Sequence, residues 1–104
     1  CSRALRAGSF APAAPLLLLM GEADDWTPPG PCRALAEQAG PAVTYVGYPG
    51  AYHGFDAPGT RLRLRSGLAF TVRGDGTAHV GTDPAARADA LARVPSWLAE
   101  RARR

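Results

Sequence analysis

Five consecutive apolar residues, Leu16 to Met20, stand between Pro15 and Gly21. So short and uniform a run has no polar face to offer water. It reads as a strand covered on both sides, the usual state of a strand in a parallel sheet. Parallel strands need a crossover connection, and "PCRALAEQA" (Pro31 to Ala39) supplies a helix with proline in its first turn and Gly40 just past its end. The β-branched and aromatic segment "AVTYVGY" (Ala42 to Tyr48) then reads as a second strand. The expected fold class is α/β, built on a βαβ unit with parallel strands. Near the end, Asp83 can cap a helix that opens on Pro84 and runs through "AARADALARVPSWLAERARR". Leu91, Val94 and Leu98 share one face of this C-terminal helix and are expected to dock on the sheet. Pro95 lies inside the same pattern and should kink or divide the helix, because it lacks a donor and crowds the preceding turn. Between Ala57 and Gly81 the pattern weakens. "RLRLR" and "LAFTV" are expected as short strands or an extended excursion, with a turn at "RGDG" (Arg73 to Gly76).

At 104 residues the chain accommodates one domain. All 12 basic residues are arginine, and the net charge of +3 is concentrated in "RLRLR" and the tail "RARR". Arginine alternating with leucine describes a strand with one solvated face. It does not describe the continuous basic patch with stacking aromatics that nucleic acid requires, so no nucleic-acid partner is expected. No stretch approaches the roughly 18–20 apolar residues needed to cross a bilayer, and no membrane association is expected. The chain opens on Cys1, but "LLLLM" is too short for a signal-peptide core and acidic "GEADD" follows it. The expectation is a fragment or a processed product. Cys1 and Cys32 show no CxxC or zinc spacing, so they are expected as free thiols, with no metal and no cofactor. The compartment stays open.

Loops leaving the carboxyl ends of parallel strands emerge along one edge of the sheet, where ligands bind in open α/β folds. The first such loop carries Asp24 and Asp25; the second carries His53. Neighbouring strands lie ~5 Å apart, so a carboxylate on one loop can reach an imidazole on the other. Such a carboxylate fixes the tautomer of the histidine and stabilises its protonated form, which suits the imidazole to act as a general base.

Two motifs then carry a resemblance. "PLLLLMGEADDWTPPGPC" holds Gly-x-x-Asp-x-x-[Val/Thr]-Pro after a buried strand, and "YVGYPGAYHGFDAPG" holds Tyr-Pro-Gly-Ala-x-His-Gly-Phe. Together they resemble the carboxyl-terminal part of the dienelactone hydrolase family, within the α/β-hydrolase superfamily. "HVGTDPAARADALARVPSWLA" is similar to the family's closing segment and helix, and the likeness is weakest from Thr60 to Gly76. The resemblance implies that the chain is the C-terminal portion of an α/β-hydrolase sheet, residues 1–104 forming a partial domain. It implies Asp24 as triad acid and His53 as triad base, acting on a small-molecule ester or lactone. Asp25 is then a polar loop residue and His79 a structural one. Trp26 and Thr27 shape the acid loop, Gly54 permits a tight turn, and Phe55 anchors the histidine loop. The family nucleophile, Cys or Ser in a Gly-x-[Cys/Ser]-x-Gly elbow, has no counterpart here. None of Ser2, Ser9, Ser66 and Ser96 stands in that pattern, and Cys32 falls in the crossover helix instead of an elbow. The chain by itself is therefore expected to be inactive. The alternative is a non-catalytic interaction module or a degenerate remnant of the fold.

Overall fold

A computed structural model describes residues 1–8 and 10–102; Ser9 and the last two arginines of the basic tail lie outside the described residues. A short helix α1 (Ser2–Ala7) precedes strand β1 (Leu16–Gly21), helix α2 (Gly30–Ala39), a 3-10 turn (Gly40–Ala42) and strand β2 (Val43–Tyr48). Short strands β3 (Arg63–Arg65) and β4 (Ala78–Val80) follow, and helix α3 (Pro84–Ala102) closes the chain.

β1 and β2 pair in parallel from Leu16 opposite Val43 to Gly21 opposite Tyr48. The βαβ unit expected from the apolar run is thus present, with α2 as its crossover. Pro29 stands at the N-cap of α2, Pro31 sits in its first turn, and Gly40 ends the helix at φ 72°. Cys32, Leu35 and Ala36 bury one side of α2. Asp83 does cap α3, its Oδ1 accepting from Ala86 N–H at 3.1 Å. β3 and β4 form a separate antiparallel pair, Leu64 opposite His79. Of the expected "RLRLR" and "LAFTV" strands, only Arg63–Arg65 forms, and both its arginines and Leu64 are exposed.

Three expectations need correction. Leu91, Val94 and Leu98 do not dock on the sheet; they are 57%, 38% and 55% exposed. α3 instead presents Ala86 and Ala90 to a cluster of Tyr48, Ala51 and Phe55, flanked by Leu19 and Val46. The reason is width. Two strands ~5 Å apart can cover only one stripe of a helix about 10 Å across, and the small alanines allow the closest approach. Of the two outcomes expected at Pro95, kinking or dividing the helix, division does not occur: α3 continues from Pro84 to Ala102. Finally, Cys1 and Cys32 are not free: they form a disulfide across 31 positions of sequence, with Cα atoms 4.9 Å apart. Spacing along a chain says nothing of the distance between Cα atoms, which decides whether two thiols can join.

The molecule is a thin slab with extents of 45 × 33 × 17 Å. Its Cα radius of gyration is 14.9 Å, against about 13 Å for a compact chain of this length. Its accessible surface is 6509 Å², where a compact monomer of this mass exposes about 5,600 Å².

Candidate active site

The loop after β1 is tied to the loop after β2 through the backbone. Glu22 N–H donates to Tyr48 O at 2.9 Å, and Ala23 N–H donates to Ala51 O at 2.9 Å. Asp24 follows at once and is buried, at 9% exposure. Its Oδ1 accepts from the backbone N–H of Trp26 at 2.9 Å and of Thr27 at 2.8 Å, the turn that an aspartate makes with its own following backbone. Its Oδ2 accepts from Thr27 Oγ1 at 3.0 Å and faces His53 Nδ1 at 3.2 Å.

The carboxylate is therefore held from one side by its own loop and presents its remaining oxygen to the imidazole. With the proton on Nδ1, the N–H is shared between Asp24 Oδ2 and Thr27 Oγ1, the latter also at 3.2 Å. That tautomer leaves Nε2 with its lone pair free, and among the described residues no side chain hydrogen-bonds it. The Trp26 ring lies over the imidazole with centroids 4.7 Å apart at 43°. The His53 side chain keeps 35% of its surface exposed, so a reacting group can reach it. Downstream, Gly54 turns at φ 73° and Phe55 is buried in the core beside Tyr48, which fixes the far end of the histidine loop.

Asp25 and His79, expected as a loop polar residue and a structural histidine, are in contact with each other. Asp25 Oδ2 faces His79 Nδ1 at 2.6 Å, and Asp25 Oδ1 accepts from His79 N–H at 2.8 Å. Tyr52 stacks on His79 with ring centroids 4.6 Å apart. His53 bridges Val80 in parallel, and strand alternation puts Tyr52 and His79 on one side of that bridge and His53 on the other. Two acid–imidazole pairs thus stand back to back, and their histidines do not converge. Sequence reasoning passed over the second pair because 54 positions separate its members. The available signal was that one imidazole can serve only one of two adjacent aspartates, so the second histidine could serve the second carboxylate.

Burial works to raise the Asp25 pKa, but the side-chain and backbone hydrogen bonds from His79 outweigh it and hold the carboxyl below its ordinary value of 3.8. A depressed folded pKa stabilises the fold above the unfolded value, and that contribution is lost as pH falls through the folded pKa. Below about pH 3.8 the fold should therefore lose stability through Asp25. In Asp25→Asn this part of the acid limb should vanish from denaturation midpoints followed by circular dichroism.

Among the described residues no cysteine thiol or serine hydroxyl hydrogen-bonds His53. Cys1 and Cys32 are spent in the disulfide. Among the described residues no group of three or more His, Cys, Asp and Glu could hold a metal ion. No helix there is long and apolar enough to cross a membrane. Comparison with protein-family models, with curated proteins and with solved structures returns no match for this chain.

Proposed function

We propose that Asp24 and His53 are the acid and base of a nucleophile–histidine–acid hydrolase of the dienelactone hydrolase type, acting on a carboxylic ester or lactone. The observation that carries the reading is the buried Asp24 carboxylate, saturated by its own loop and holding His53 Nδ1, with Nε2 left open. In this reading, Nε2 takes the proton from a Cys thiol or Ser hydroxyl supplied from outside these residues. The nucleophile attacks the acyl carbon, and the imidazolium returns its proton to the departing alkoxide. A water then hydrolyses the acyl-enzyme by the same route. Asp24 stabilises the imidazolium in both halves without itself taking the proton. Oxyanion donors, which carry much of the rate in such reactions, also come from outside these residues.

The test is hydrolysis of an activated acyl ester by the isolated chain and by the longest in-frame product that contains it. The isolated chain should turn over at background. In the longer product, Asp24→Asn should lower kcat by about 10⁴-fold, since the amide imposes the wrong tautomer. Turnover by the isolated chain that survives His53→Ala would refute the assignment, and a longer product without turnover would leave the fold as a non-catalytic module.

A further inference from the structure

The excursion from residue 61 through β4 grips the acid loop at two adjacent residues. Asp25 meets it three ways: its carboxylate holds His79 on β4, its backbone carbonyl accepts from Val72 N–H at 2.9 Å, and Arg73 Nε lies 3.9 Å from Oδ2. Trp26 meets it twice: its indole N–H donates to Ala69 O at 3.3 Å, and the Arg65 guanidinium stands 5.8 Å from its ring centroid. The other end of β4 is pinned to the histidine loop, where Gly81 N–H donates to His53 O at 3.1 Å. Phe70 lies between the Ala69 and Val72 contacts at φ 58°, the one described residue other than glycine with a positive φ. A bulky residue stays in that region only where its surroundings over-determine it. Here the anchors on both sides do so.

We propose that Asp25 and His79 are a positioning pair that clamps the 61–77 excursion onto the acid loop and so holds Trp26 against His53. His79 faces away from His53 and touches nothing that His53 would touch, which makes it a positioning residue. The Trp26 ring is the only aromatic on the His53 imidazole among the described residues, with its centroid 4.7 Å away. It restricts the imidazole to the rotamer in which Nδ1 meets Asp24. Removing the clamp frees the indole, and with it the imidazole. The bearing on catalysis rests on the Asp24–His53 reading above; the clamp itself does not.

The experiment uses the full chain carrying Trp97→Phe, which leaves Trp26 as the one tryptophan of the two. Its emission maximum and its quenching by iodide are read in His79→Phe, which keeps a ring beside Tyr52 and the backbone N–H donor but removes the side-chain donor to Asp25 Oδ2. The expected result is a red shift and a severalfold rise in quenching. His79→Asn, whose amide nitrogen takes the place of Nδ1, should restore both towards the parent values. Unchanged emission and quenching in His79→Phe would overturn the proposal, as would an equal change in the Phe and Asn variants. Should His79→Phe fail to fold, hydrogen exchange of the Trp97→Phe chain decides. The amides of Val72 and His79 must be protected together, and exchange of either at an unstructured rate overturns the clamp. No substrate enters these measurements, so their failure leaves the Asp24–His53 reading standing. Absence of esterase activity from the longer product, beside an intact clamp, counts against that reading alone.

Discussion

Gly21→Ala is expected to force the acid loop and the histidine loop apart. A Cβ at this position would lie 2.5 Å from Ala51 O and 3.0 Å from both Ala51 C and Tyr52 O. These are backbone atoms, so no side chain can swing aside. Ala51 is fully buried, and its carbonyl already accepts from Ala23 N–H, which fixes its position. The constraint is space alone, because Gly21 sits in regular extended strand at the end of β1. Overpacking of this kind costs about 1–3 kcal/mol, readable as a lower urea midpoint at unchanged slope. The larger effect falls on the site. Asp24 stands three residues beyond Gly21 and meets His53 at 3.2 Å, a separation that cannot lengthen much and remain a hydrogen bond. A displacement near 1 Å in such a pair costs about 10²-fold in rate. The same substitution in the longer product should therefore lower kcat/KM by about that factor. A Gly21→Ala chain with unchanged midpoint and an intact His53 signal would show that the two loops do not approach as closely as described.

Reducing the Cys1–Cys32 bond should have the greatest effect on stability. The bond closes a loop of 31 positions, and opening it returns about 3–4 kcal/mol of chain entropy to the unfolded state. Domains of this size are stable by only 5–15 kcal/mol in general, so the loss is a large share. It falls first on α1. That helix buries no residue of its own and has only six, too few to persist in water unaided. Reduction, or Cys1→Ser with Cys32→Ser, should lower the denaturant midpoint and remove the α1 share of the helical circular dichroism signal. Coincident unfolding curves with and without reductant would show that the crosslink restrains nothing.

The parts of the fold legible in the sequence are those written in local pattern. The apolar run Leu16–Met20, the Pro- and Gly-bounded α2 and the β-branched β2 each declare themselves within a few residues, and their order implies the parallel pairing. Asp24 and His53 were legible for the same reason: parallel strands bring their following loops to one edge. The disulfide, the Asp25–His79 pair and the packing of α3 were not. Each depends on which distant surfaces meet. The stripe of Leu91, Val94 and Leu98 shows that α3 has an apolar face, but periodicity cannot say whether the sheet is broad enough to receive it. Ala86 and Ala90, which make the contact, carry no strong hydrophobic signal. The excursion was faint because its hydrogen bonds to the acid loop join residues 43 to 54 positions apart, partly through the backbone of Ala69 and Val72, which leaves no mark in local pattern.

The 17 Å thickness of the slab has a thermodynamic meaning. The heat capacity of unfolding follows the apolar area newly exposed to water, about 12–15 cal/mol/K per residue in compact domains. In a body this thin much of that area faces water before unfolding begins, and among the described residues no large side chain is fully buried. Less is left to expose, so the increment per residue falls below that of a compact domain. The curve of stability against temperature is correspondingly shallow, with a broad melting transition and a cold limb pushed to lower temperature.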